Sequence, residues 1–403
     1  MHVSPRLLLC VIIVVSLAGC GPTTLAPIRT TATAARLGSA ATPLARATVL
    51  PQTVAPTRGG AVATTPSVSP ASAVAPTIAP QATTTPSVIA VNLPGGRNGV
   101  GFDDLHYDAT LGQVLAPGGR TGNVDLVDPS TQAVMPIAGF SAQPRFSGGH
   151  DDGPTSVDAG HGLIFVTDRT TRRLSVVDPA TRAIVASVAL ASSPDYVRYV
   201  APTGELWVTE PDQEQIEVFT LSGAQKRVPV RAGVIVVKGG PESLVIDPQR
   251  QRAYTHLWAS ATVAIDLNNH TLVAQWPNGC DGSRGIALDE RRGWLFAGCA
   301  EGAGVVLDVD HDGQQLSSIR VGAGVDVIDY NPTLAHLYLP GATSATMAIV
   351  GVSASGTLSL LGTIATARDA HCVAADTHGT AWVCDPDHGQ LLRITDPFPA
   401  AGT

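Results

Sequence analysis

Aromatic residues are scarce in this chain: 5 Trp, 6 Tyr and 7 Phe among 403 residues. Charged side chains make up only 14%, and no Lys/Arg-rich block occurs anywhere. That absence excludes the electrostatic footprint of a nucleic-acid-binding protein, and the net charge of −8 points the same way. The apolar run Leu7–Val15 is too short to cross a bilayer as a stable helix. G-x-S-x-G, H-E-x-x-H and the P-loop pattern are missing, so the nucleophile-elbow hydrolases, zincins and P-loop nucleotide binders have no sequence support. There is no C-x-x-C-H, which argues against a covalently attached haem.

What is present sorts into two kinds of sequence. Arg6, the apolar core Leu7–Val15 and Leu17-Ala18-Gly19-Cys20 form a short targeting segment. It resembles the bacterial lipobox, in which the cysteine becomes the lipidated N-terminus after cleavage. A signal peptide is therefore expected over residues 1–19. Cys20 would carry the lipid and hold the protein to a membrane on the extracytoplasmic side of a bacterial cell envelope. Residues 20–86 are Thr, Ala, Pro, Ser and Val with almost no charge and no apolar period. Such a segment buries too little surface to offset its ordering entropy, and it is read as a disordered tether open to O-glycosylation.

From Ser87 the pattern changes to short apolar runs separated by polar turns, repeating at roughly 40–45 residues, the period of a propeller blade. The residue that opens the turn between the first and second runs aligns seven units: Asp108, Asp158, Val200, Asp247, Asp289, Asn331 and Asp376. The last unit stops after three strands. Its missing fourth is available in Ser87-Val-Ile-Ala-Val-Asn-Leu93, which would close the ring and cover a sheet edge. The expected fold is all-β: a seven-bladed propeller of four-stranded blades over residues 87–398, with a tail at 399–403.

Val127-Asp-Pro-Ser-Thr-Gln-Ala-Val134 and Val177-Asp-Pro-Ala-Thr-Arg-Ala-Ile184 carry one further regularity, apolar-Asp-Pro-x-Thr-x-x-apolar. It resembles the YVTN-type β-propeller repeat, and Cys280–Asp308 is similar to the corresponding part of YncE-like periplasmic propellers. Phe165-Val-Thr-Asp168 and Trp207-Val-Thr-Glu210 are the nearest copies of the tetrad itself. The likeness spans Ser87 to Phe398 and implies the fold; a shared ligand does not follow from it, because propellers host many activities.

Counting five residues back from each turn residue gives one position per blade at the mouth of the central channel: Asp103, Gly153, Asp195, Glu242, Arg284, Asp326 and His371. Six of these carry polar or ionisable side chains. They are the candidate ligand site, suited to a divalent cation such as calcium or to a cationic or polyhydroxylated ligand. His150, Asp151 and Asp152 precede the glycine, and Tyr196 and Trp258 are expected near the same face. Asp168, Glu210 and Asp385 end second strands and are expected on that face too.

The cysteines follow the register. Cys372 starts the first strand of the last blade and Cys384 ends its second; Cys280 enters its blade and Cys299 ends that blade's second strand. Disulfides Cys280–Cys299 and Cys372–Cys384 are predicted, and a four-cysteine zinc site lacks the close C-x-x-C spacing. These features favour a monomeric, non-catalytic binding or scaffold module whose partner is a protein, glycan, peptide or small ligand. A metal-dependent propeller hydrolase of the lactonase kind is the alternative.

Overall fold

The aspartates that open the first turn of each repeat act through their side chains. Asp108, Asp247, Asp289 and Asp376 each accept hydrogen bonds from backbone N–H groups two to four residues on, and Asn331 does the same for Thr333 and Leu334. These Asx turns satisfy the backbone where the chain reverses. Asp158 departs from the pattern and reaches the Tyr199 N–H of the next blade at 2.6 Å.

The computed structural model describes residues 86–401. The expected signal peptide, Cys20 and all of the tether short of residue 86 lie outside the described residues. Within them the turns join seven antiparallel sheets of four strands, each running outward in sequence order. The innermost strands are His106–Asp108, Pro154–Gly160, Val197–Val200, Val245–Asp247, Ser283–Asp289, Asp329–Asn331 and Val373–Ala375. The seventh sheet takes its outermost strand from the start of the domain. Val88–Asn92 pairs antiparallel with Gln390–Thr395, Val88 opposite Ile394 and Asn92 opposite Gln390. This is the predicted closure of the ring.

Second strands are buried on both faces because each lies between two neighbouring blades. Leu163–Asp168, Glu205–Glu210, Trp294–Cys299, His336–Gly341 and Thr380–Asp385 are buried at every position. They therefore read as continuous apolar runs and not as alternating ones. The scarce aromatics are spent here. Phe165, Trp207, Tyr254, Phe296, Tyr338 and Trp382 hold the third position of their strands, with Leu115 in the first blade, and all are fully buried. Each wedges between blades. Phe165 stacks on Tyr199 with centroids 5.6 Å apart, and Phe296 meets Tyr330 at 4.7 Å, the partner lying on the innermost strand of the following blade in both cases.

Both predicted disulfides are present, Cys280–Cys299 and Cys372–Cys384. The segment after the last strand is fastened to the sixth blade. Asp396 accepts from Tyr338 Oη, and the buried His336 bonds to Asp396 and to the Pro399 carbonyl.

Candidate functional site

The chain enters each blade at the channel mouth and returns to the same face between its second and third strands. All six predicted side chains, Asp103, Asp195, Glu242, Arg284, Asp326 and His371, line one cavity of about 910 Å³. Gly153, the seventh ring position, contributes no side chain because none fits: its φ is +73° and a Cβ would meet the Gly119 carbonyl oxygen at 2.0 Å. The loop before it supplies His150 and Asp151 to the cavity wall instead.

Arg169 is the residue that counting back along the repeats does not find. It follows the second strand Leu163–Asp168 and swings across the mouth. Its guanidinium pairs with Asp103 at 2.7 Å and with Asp195, and its Nε donates to the Pro194 carbonyl. The two carboxyls then behave oppositely. Burial works against ionisation of Asp103, but His150 and Arg169 outweigh it and hold the group down at about 2. Asp195 is pushed well above the ordinary carboxylate range by burial, which the Arg169 charge offsets only in part. The Asp103 carboxylate in turn raises His150, whose Nδ1 lies 3.1 Å from Asp103 Oδ2.

A second constellation lies across blades four to six. Arg284 donates to Glu242 Oε1 at 2.8 Å, and its guanidinium rests 3.8 Å from the centroid of the Trp258 ring. Glu242 Oε2 is buried without a hydrogen-bond partner. Burial pushes the Glu242 carboxyl up to about 7; the Arg284 hydrogen bond opposes the shift and the Asp326 charge adds to it. Asp326 is half-buried and, among the described residues, makes no ion pair or side-chain hydrogen bond. His371 is turned aside: its ring nitrogens lie 2.9 Å from the Phe102 carbonyl oxygen and 2.7 Å from that of Asp369.

Other expected neighbours lie elsewhere. Asp168, Glu210 and Asp385 end second strands on this face, yet their carboxylates are used to tie loops and do not line the cavity. Asp168 accepts from Ser141 N and Oγ, Glu210 from Ser192 N, and Asp385 from Gln390 Nε2. Asp104 lies deeper and is held by Ser156 Oγ and by both terminal nitrogens of Arg198. Tyr196, Trp258 and Phe146 do line the cavity.

No family model and no curated protein matches the chain. Solved structures do. The chain is similar to one described as the mitotic checkpoint complex, with a TM-score of 0.62 and 13% identity over 81% of this chain and 96% of that one. It is likewise similar to the hydrazine synthase of Kuenenia stuttgartiensis, with a TM-score of 0.60 and 12% identity over 79% of this chain and 99% of that one. At such identity the likeness is one of fold, and the seven-bladed propeller is common ground.

Eight carboxylates and three arginines line the cavity. The arginines are all engaged by carboxylates, Arg368 by Asp369 and Asp387. The excess is acidic, in a concave site at the channel mouth. Such a mouth attracts cations and repels phosphates and carboxylates.

Proposed function

We propose that this protein is an extracytoplasmic binding module, anchored through lipidated Cys20, whose ligand site is the acidic channel mouth. The reading extends to a YncE-like, non-catalytic propeller lipoprotein. The observation that carries it is the buried Glu242 carboxyl, which lines the cavity with one oxygen unpartnered. A group of this kind is costly to bury unless something completes its hydrogen bonding. Two disulfides support placement in an oxidising compartment.

A calcium-type ion fits the site poorly. Such an ion takes about six to eight oxygen ligands. Among the described residues, groups of three metal-capable side chains within 4.8 Å of one another occur only beside the two disulfides. The metal-dependent hydrolase is therefore the weaker reading.

The test is a thermal-shift screen of the mature chain in detergent against amines, sugars, peptides and divalent ions. At least one compound should raise the melting temperature in the native protein and not in Glu242→Gln. Ligands that stabilise both proteins equally would place the site somewhere other than the mouth.

A further inference from the structure

We infer that the channel mouth binds a guanidinium group, the side chain of an arginine in an extended peptide segment, with Asp326 as its carboxylate. The inference rests on the proposed binding role of this cavity and names the chemistry it takes.

Among the described residues, Asp326 is the half-buried carboxylate of the cavity, and both its oxygens lack a protein donor without being enclosed. Its place in the ring explains this. Its backbone packs against blade five, where a Cβ on Gly285 would lie 2.0 Å from the Asp326 carbonyl oxygen. On the other side the Val327 N–H donates to the His371 carbonyl oxygen at 2.9 Å. The ring residues Arg284 and His371 therefore flank it, and both are engaged elsewhere. Arg284 reaches back to Glu242 and Trp258, and the His371 ring nitrogens lie against the Phe102 and Asp369 carbonyl oxygens. The Asp326 carboxylate is left open to the cavity with no counter-charge from either neighbour.

Two further groups in the cavity have unused capacity. Tyr196 is 5% exposed and lines the cavity, and among the described residues its hydroxyl has no hydrogen-bond partner, yet the oxygen is not enclosed. A phenol buried to this degree ordinarily has a partner, and an N–H from a ligand supplies one. Trp258 is 51% exposed and already carries the Arg284 guanidinium 3.8 Å from its ring centroid. The wall thus shows the stacking that a planar cation uses.

The fork of a guanidinium matches a carboxylate with both oxygens free, whereas an ammonium is a strongly hydrated point charge without that geometry. A hard metal ion lacks its ligand set, as described above. An anion faces the acidic excess. A neutral sugar would leave Asp326 without a counter-charge. The chain's own sequence holds a matching source: no acidic residue precedes Asp103, and residues 20–85 carry Arg29, Arg36, Arg46 and Arg58 with no lysine. The second source is an arginine of another protein.

Calorimetry on the full mature chain in detergent tests this with a blocked peptide of the Pro56-Thr-Arg-Gly-Gly60 sequence, and with lysine or citrulline in place of its arginine. Maltotriose and cadaverine serve as the other probes. The arginine peptide should bind at least about tenfold more tightly than the lysine peptide, and the citrulline peptide, alike in shape but uncharged, should not bind. Asp326→Asn should weaken the arginine peptide by about tenfold or more. Trp258→Leu and Tyr196→Phe should each weaken it by about threefold or more, while Asp312→Asn, in a turn on the opposite face, should leave it unchanged. A chain with Arg29→Gln, Arg36→Gln, Arg46→Gln and Arg58→Gln together separates the sources. A gain of about threefold or more in peptide affinity means that the chain's own arginines compete for the mouth; unchanged affinity assigns the mouth to an arginine of another protein. The inference falls if the lysine and arginine peptides bind equally, if neither binds to the fourfold variant, or if Asp326→Asn binds as the native protein does. Should maltotriose or cadaverine alone bind, and lose affinity in Glu242→Gln, the inference falls while the wider reading of the mouth as a binding site stands.

Discussion

At the scale of single residues, one carboxyl among the described residues is buried with both oxygens unpartnered. Asp125, in the third strand of the first blade, is fully buried and neither oxygen has a hydrogen-bond partner. Burial pushes it up to about 7. Its ordinary value is 3.8, so the unfolded chain ionises first as pH rises. The folded state binds the extra proton between the two values, and stability is lost across that window. Asp125→Asn removes the cost and keeps the shape. Its gain over the native protein should be small near pH 4 and reach about 2–4 kcal/mol by pH 8. Denaturant melts at the two pH values would show it, and a pH-independent gap would mean that Asp125 is hydrated and ionised. The same scale shows where sequence reading stops. The entry ring was countable because five of the seven first turns are fixed by an Asx residue, and the repeat spacing places Asp158 and Val200 at the other two. Arg169 was not, because it belongs to a second ring, one residue past the end of each second strand, where the neighbouring blades carry Pro211, Trp258, Ala300, Ala342 and Pro386 on the same wall and no charge marks the position.

At the scale of strands, legibility depended on what each strand packs against. Second strands are sandwiched between blades, so their composition announces them. Innermost strands are as short as three residues, and outer strands such as Val228–Val236 are partly exposed and alternate irregularly. Those were placed by the repeat and not by their own pattern. The closing strand Val88–Asn92 was legible only as the complement of a missing one. The aromatic at the third position of six of the seven second strands is the element's main packing group. Aromatic scarcity was visible in the sequence, but its meaning was not: nearly every blade uses one large ring as the wedge against its neighbour. Phe296→Ala should cost about 3–5 kcal/mol, measured by chemical denaturation, because the flanking blades cannot close on the gap. Phe296→Leu should recover most of that loss. A cost under about 1 kcal/mol for the alanine variant would mean that the blades pack independently.

At the scale of the whole molecule, the ring and the mouth are stabilised by different means. The ring is closed by backbone pairing between the two ends of the described chain, with Val91 in the closing strand and Leu93 just after it as buried anchors. The mouth is fixed locally. Cys372 follows His371, Cys384 precedes Pro386 and Asp387, and Cys299 precedes Ala300, so both bridges tie down residues that line the cavity. The bonds close short loops, with sequence separations of 19 and 12, and each lies within a single blade. In the chain-entropy model either is worth about 3 kcal/mol. For a domain of this size that corresponds to roughly 4–5 °C per bridge. Reduction should therefore lower the melting temperature without changing the β-sheet signal at room temperature, since no bridge links one blade to another. Ligand affinity should respond more sharply than fold, because the fifth and seventh blades carry Arg284 and His371 on the tethered entries. Paired serine variants at Cys280 and Cys299 should lower the melting temperature and weaken binding at the mouth, read by circular dichroism and calorimetry on the same samples. Loss of the far-ultraviolet signal at room temperature would show instead that the bridge holds the ring together, and that backbone closure alone does not suffice.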